Sequence, residues 1–271
     1  MNDRVSISIE AGVADVRLIR ADKMNAFDDA MFAGIIEAGA QLAATPGLRA
    51  VVLSGEGRAF CAGLDMSKFG EMASGERGAG DNGGTPIIAG ARTPNGANRA
   101  QQVVMLWREL AVPVIAAVHG VAFGAGFQLA LGADLRFVTP DARFAAFEMN
   151  WGLVPDMAGI ALLRGLVRDD VARDLVYGAR IVSGTEAAAI GLVTRVCADP
   201  LAEALAYAAE IAGRNPDAVR AAKRLLNLAQ DETQSAILIA ESDEQGRLIG
   251  APNQVEAVNS RLAKRAGQFR D

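Results

Sequence analysis

Apolar and polar positions alternate strictly at the start of the chain. Val5-Ser6-Ile7-Ser8-Ile9 repeats with period two, meets Gly12, and the pattern resumes from Val13 to Ile19, which predicts a β-hairpin. From Asp28 to Leu42 the spacing becomes helical, with Met31, Ile35, Ile36 and Leu42 on one face and a stop at Thr45-Pro46-Gly47. Three mostly apolar runs, Ala50–Ser54, Val114–Val118 and Leu135–Val138, predict buried strands with helical segments between them. Strands that alternate with helices imply right-handed crossovers and a largely parallel sheet, hence an α/β fold. From about Leu201 to Arg265 the pattern is almost wholly helical, with more apolar face than one small sheet covers. The boundaries expected are therefore a core over 1–200 and a C-terminal helical region over 201–271, part of which packs on another subunit. Within the core, the stretch from Glu71 to Ala100 stands apart: seven glycines, Pro86, Pro94 and several polar residues mark a surface insertion over about 71–100.

Two glycine-rich segments carry the chemistry. They are Gly57-Arg58-Ala59-Phe60-Cys61-Ala62-Gly63-Leu64-Asp65 and the run from Pro113 through Gly120, Gly124, Ala125, Gly126 and Gln128 to Leu129. In each, a strand-like run feeds a tight turn and then a helix-like run. Backbone N–H groups at such a turn point at one developing negative charge, and two of them converging make an oxyanion hole without any side chain. This arrangement suits stabilisation of an enolate.

Composition narrows the field. The 271 residues are 51% hydrophobic, enough for a large core, and the net charge of −5 argues against nucleic acid or an anionic membrane as partner. From Val112 to Leu131 no side chain is formally charged, but Pro113, His119, Gln128 and three glycines favour a buried strand and helix over a membrane span. Two cysteines, Cys61 and Cys197, suit a reducing cytosol, and the N-terminus lacks a signal-peptide core, so a soluble cytoplasmic protein is expected. One histidine and two cysteines supply no zinc set. Neither Gly55-Glu56-Gly57 nor Gly124-Ala125-Gly126 completes a dinucleotide fingerprint, and there is no Walker A pattern. His119 reads as a packed, hydrogen-bonded residue, and Cys61 as a small packing thiol.

Taken together, these segments resemble the crotonase family, that is, the enoyl-CoA hydratase/isomerase superfamily. Phe60-Cys61-Ala62-Gly63-Leu64-Asp65 is similar to its first oxyanion loop, and Pro113–Leu129 to its second, continuing into Ala133-Asp134-Leu135-Arg136. Lys23-Met24-Asn25-Ala26-Phe27 resembles the element that borders the CoA site. Ala142-Arg143-Phe144 through Glu148, then Gly152-Leu153-Val154-Pro155, resembles the catalytic-acid segment, and Gly184–Val193 the helix-turn after it. The resemblance implies a spiral of β-β-α repeats with C-terminal helices that assemble a homotrimer or a dimer of trimers. It implies an acyl-CoA thioester as substrate, with no separate cofactor and no metal. The thioester oxygen is expected between the N–H groups of Ala62 and Ala125. CoA is expected to contact Lys23, Ala26, Ala62 and Leu64, with Arg261, Lys264 or Arg265, of the same or a neighbouring subunit, as further phosphate partners. The 71–100 insertion, on this view, is a lid over the acyl pocket or a mobile surface loop.

The carboxylates depart from the family pattern. Family hydratases use two glutamates; the second aligns with Glu148, but the first aligns with Gln128, whose amide cannot act as a base. Gln128 is expected to orient a water or a thioester substituent. Glu148 lies among Phe144, Ala145, Ala146, Phe147, Met149 and Trp151, where desolvation raises a carboxyl pKa and suits proton shuttling. Asp156 occupies a position where the dienoyl-CoA isomerase branch has an aspartate, or else it caps a helix beginning near Met157. With Glu148, Asp156 and Gln128 as the catalytic set, double-bond isomerisation ranks ahead of hydration of a trans-2-enoyl-CoA. Thioester hydrolysis, ring-forming condensation and decarboxylation follow. A non-catalytic acyl-CoA-binding protein is the alternative of another class, and the acidic balance disfavours RNA binding.

Overall fold

The computed structural model describes residues 3–74 and 90–271; residues 75–89, the centre of the expected insertion, lie outside them. The hairpin forms as β1 (Val5–Glu10) and β2 (Val13–Leu18), with Ala14, Val16 and Leu18 turned into the core. Helix α1 (Asp29–Ala43) starts where Asp28 accepts the Met31 N–H at 2.8 Å, a side-chain N-cap. There follow β3 (Ala50–Gly55), α2 (Met66–Ala73), α3 (Arg99–Glu109), β4 (Val114–Val118), β5 (Val121–Phe123), α4 (Ala125–Leu131), β6 (Leu135–Val138) and β7 (Arg143–Ala145). Next come α5 (Gly159–Leu163), α6 (Asp169–Gly178), β8 (Val182–Ser183), α7 (Gly184–Ala189) and β9 (Arg195–Val196). Helices α8 (Pro200–Ala212), α9 (Pro216–Leu228), α10 (Gln234–Leu248) and α11 (Pro252–Leu262) close the chain.

The strands form two sheets. The larger has the order β1-β2-β3-β4-β6-β9 and is parallel beyond the first hairpin; the smaller has the order β5-β7-β8. One unit repeats: a strand in the large sheet, a turn, a short strand in the small sheet, then a helix. β4, β5 and α4 make one such unit, and β6, β7 and the 3-10 turn Phe147–Trp151 make the next. In the unit that begins with β3, the second strand is reduced to a single bridge, Cys61 to Ala122. This is the crotonase-type spiral, and its successive turns lie side by side.

Both faces of the large sheet are covered, which is why its strands read as continuous apolar runs. Along β3, Val51 and Leu53 join the main core with Met31, Ile35, Trp107 and Phe127, while Ala50 and Val52 meet Ala204 and Ala208 of α8 on the other side. The first helix of the expected C-terminal region thus packs directly on the sheet. The uncharged stretch Val112–Leu131 resolves into β4, β5 and α4, and no described helix is long and apolar enough to cross a membrane.

Lys223 ties α9 to this core. Its ammonium donates to the carbonyls of Trp107 (3.0 Å) and Val112 (2.8 Å) and pairs with Asp134 at 2.8 Å, so all three hydrogens are used in a buried setting. Removing one partner of such a buried group leaves the others unsatisfied, at a typical cost of about 3 kcal/mol. Lys223→Met should therefore lower the unfolding free energy by about that amount in urea titrations, and an unchanged midpoint would contradict this role for the ammonium.

Candidate active site

Backbone pairing brings the two glycine-rich segments together. Cys61 N–H donates to Val121 O (3.0 Å) and Phe123 N–H to Cys61 O (3.1 Å), joining the first segment to β5. On its other side, Phe27 N–H donates to Gly63 O (2.8 Å) and Asp65 N–H to Phe27 O (2.9 Å). These last two bonds flank Leu64, so its own N–H is turned to the edge away from Phe27. Neither the Leu64 N–H nor that of Ala125, the first residue of α4, has an acceptor among the described residues, and both residues line one cavity. The expectation for Ala62 requires correction: its N–H donates to Met24 O at 2.9 Å and is not free. Leu64, two residues on, takes its place beside Ala125.

Two glycines permit this approach. Gly63 sits at φ +102°, and a Cβ there would lie 2.8 Å from Phe123 O and 3.8 Å from Ala125 N. A Cβ on Gly126 would lie 2.3 Å from Cys61 O.

Glu148 emerges from the 3-10 turn Phe147–Trp151 in the adjoining turn of the spiral, beside Gly124. Its Oε1 accepts from Gln128 Nε2 at 2.7 Å; its Oε2 is buried and has no partner. Burial raises its pKa above the ordinary carboxylate value, the Gln128 hydrogen bond opposes this, and the charge of Asp156 adds to the rise. Asp156 lines the same cavity and is reached by solvent, yet the protein crowded around it displaces enough water to raise its pKa as well. It does not cap the following helix: α5 begins at Gly159, and its N-cap, Ala158, makes no side-chain bond.

Gln128 also departs from expectation. It is 0% exposed and does not line the cavity, so it orients neither water nor thioester there. Its oxygen accepts from the N–H groups of Met157 (2.8 Å) and Gly159 (2.9 Å) instead.

The cavity, about 1050 Å³, is mostly apolar. Phe69 and Trp151 stack across it at 4.2 Å, and Phe123 lies 4.4 Å from Phe147. Met66, Phe69 and Met72 of α2 form part of the wall, at the edge of the segment that lies outside the described residues. Lys23, Ala26, Ala62 and Leu64 all line it, with Lys23 exposed; Arg261, Lys264 and Arg265 of the same chain do not line it, and Arg265 pairs with Glu256. Asp65, the N-cap of α2, is also on the wall. The Ser67 N–H and the Arg20 guanidinium at 2.6 Å hold its pKa down to about 2. His119 packs with its Nε2 2.9 Å from Gly57 O. Cys61 is fully buried, bonded to Asn25 O at 3.2 Å, and burial pushes its thiol up to about 12, so it is no nucleophile. Among the described residues no cluster of His, Cys, Asp and Glu is placed to hold a metal ion.

Fold and site together define an enzyme of the crotonase type, acting on acyl-CoA. The sequence signature described as "Enoyl-CoA hydratase/isomerase" matches residues 8–271, and the chain belongs to that family. It is 33% identical over 272 residues, 96% of this chain and 90% of the other, to a Mycobacterium bovis (strain ATCC BAA-935 / AF2122/97) protein described as "Probable enoyl-CoA hydratase echA12". It is 32% identical over 264 residues, 96% of each chain, to 1,2-epoxyphenylacetyl-CoA isomerase from Escherichia coli (strain K12). Among solved structures, an enoyl-CoA hydratase from Polaromonas sp. JS666 superposes with a TM-score of 0.85 at 30% identity, covering 98% of this chain and 99% of that one.

The close approach at Gly63 is open to test. Gly63→Ala adds a methyl against Phe123 O in a strained backbone. It should lower kcat/KM for an acyl-CoA substrate about 100-fold, the typical effect of losing one oxyanion donor, while far-UV circular dichroism stays unchanged. Undiminished turnover would show that the two N–H groups do not act together.

Proposed function

We propose that this enzyme shifts a carbon–carbon double bond in an enoyl- or dienoyl-CoA. The observation that carries this reading is the pairing of one partly buried carboxyl, Glu148, bearing an unpartnered Oε2, with a buried amide, Gln128, at the position that aligns with the first of the two glutamates of family hydratases. In a 3-enoyl-CoA, the Glu148 carboxylate removes a proton from the carbon between thioester and double bond. The electron pair moves into a dienolate whose oxygen accepts from Leu64 and Ala125 N–H, donors that add about 3 kcal/mol each to such a transition state. The same proton returns at the far end of the old double bond, giving the conjugated 2-enoyl-CoA. In a 3,5-dienoyl-CoA, the Glu148 carboxylate takes the proton from C2, the electron pair spreads along the trienolate, and a protonated Asp156 gives its proton to C6, yielding the 2,4-dienoyl-CoA. Burial raises the pKa of both carboxyls, and solvent access at Asp156 lets the proton that Glu148 gains and Asp156 gives up be exchanged after turnover. CoA binding in this reading falls to the wall at Lys23, Ala26, Ala62 and Leu64.

The names of several relatives favour a second reading, hydration of a trans-2-enoyl-CoA with Glu148 and an ordered water. Assays on both substrate types separate the two. Purified protein should convert 3-enoyl- or 3,5-dienoyl-CoA to the conjugated product, seen as a gain in thioester absorbance. Glu148→Gln should lower that rate by about 10³-fold. Because a base must be deprotonated, kcat/KM should rise with pH through a value above the ordinary glutamate pKa. Rapid loss of conjugation with 2-enoyl-CoA, abolished in Glu148→Gln, would establish hydration instead. Binding of acyl-CoA without either reaction would establish the non-catalytic alternative.

The apolar residues Leu226, Leu238, Ile239 and Leu262 are exposed on α9, α10 and α11. The proposal extends to their burial in a homotrimer or dimer of trimers. Light scattering should return three or six chains, and a monomer at micromolar concentration would refute it.

A further inference from the structure

Gln128 is held in one orientation by the segment that carries Asp156. Its Oε1 accepts from the N–H groups of Met157 and Gly159, which occupy both lone pairs. Turning the amide over would set an NH₂ against two N–H groups, so Nε2 is fixed toward Glu148 and donates to Oε1 at 2.7 Å. Between the two donors stands Ala158 at φ +70°, an unfavourable conformation for alanine, so the chain winds around the Gln128 oxygen at a backbone cost. One buried side chain thereby joins the Glu148 turn to the Asp156 loop.

We infer that Gln128 is a positioning residue that makes Glu148 a proton carrier with a single working oxygen, Oε2, and holds the Asp156 loop in register with it. The inference rests on the proton-carrying role of Glu148 proposed above. A carboxyl whose Oε1 already accepts from a fixed N–H carries its proton on Oε2, the atom left unpartnered. The carboxyl then cannot present either oxygen indifferently, and proton removal and return use one atom. The other charged groups on the cavity wall are Asp156 beside Glu148, and Asp22, Lys23 and Asp65.

Gln128→Glu isolates the donor half of the bracket. A carboxylate at 128 still accepts from Met157 and Gly159 N–H, so the loop keeps its anchor, but it now sets a second acid against Glu148 Oε1. A ¹³C NMR titration of the full chain without ligand, with Glu148→Gln to assign the signal, reads Glu148 directly. Gln128→Glu should raise its apparent pKa by about one pH unit or more, and the pH profile of kcat/KM should move with it. Its kcat should fall about tenfold or more while KM stays within about threefold, as expected for a lost proton-transfer geometry. The exchange variant Gln128→Glu/Glu148→Gln restores the pair with donor and acceptor reversed. It should regain the wild-type melting temperature and remain inactive. An unmoved Glu148 titration in Gln128→Glu, or an active exchange variant, would overturn the inference. If the wild type isomerises no enoyl-CoA, the functional reading fails by itself, and the NMR titration still decides the bracket.

Discussion

Backbone hydrogen bonding between neighbouring turns of the spiral is the constraint from which the site follows. Phe27, residues 61–65, β5 and β7 run side by side, joined by bonds of 2.8 to 3.1 Å, including Gly124 N–H to Ala145 O at 2.9 Å. Each turn ends in a loop at the same edge, so the loops carrying Leu64, Ala125 and Glu148 become neighbours although they are distant in sequence. Since the donors are main-chain atoms, their separation depends on strand pairing and on small residues at the contact, not on side-chain identity. The steric limits at Gly63 and Gly126 express that dependence.

The same spiral holds α4 at both ends. Its N-terminal residue, Ala125, offers a free N–H to the cavity, while its C-terminal carbonyls are taken by a buried arginine. Arg136 donates to Ala130 O at 3.3 Å and Leu131 O at 3.5 Å in the last turn, to Ala133 O at 2.7 Å just beyond it, and to Leu192 O at 2.8 Å. Burial lowers its pKa to about 10, so the guanidinium stays charged at neutral pH and complements the negative end of the helix. The middle of α4 supplies Gln128 to the Glu148 bracket. The free N–H of Ala125 and the Gln128 amide that donates to Glu148 therefore lie on one short helix.

Burial acts on two groups here with different outcomes. Cys61 and Glu148 both have raised pKa values, in each case chiefly through loss of water. The thiol is enclosed on every side and inert. The glutamate borders the cavity and keeps one oxygen without a protein partner, so the same loss of water acts there on a group at the cavity wall.

The hairpin, α1 and the three strands Ala50–Gly55, Val114–Val118 and Leu135–Val138 were legible from periodicity, because hydrophobic spacing is a local property of the chain. The glycine-rich segments and the Glu148 region likewise pointed to the family, since turn chemistry and motif order are written in consecutive residues. Three features were decided only by tertiary structure. Whether Ala62 or Leu64 has the free N–H depends on which carbonyl pairs with each, here Met24 O for Ala62. Whether Gln128 faces the substrate or the protein depends on the Met157–Gly159 backbone folding around it from 29 and 31 residues away. Asp156 reaches the cavity and not a helix end because α5 starts at Gly159 after a left-handed alanine. The sequence specifies which donors and acceptors exist; only the packed chain decides which of them are satisfied by each other and which are left for a substrate.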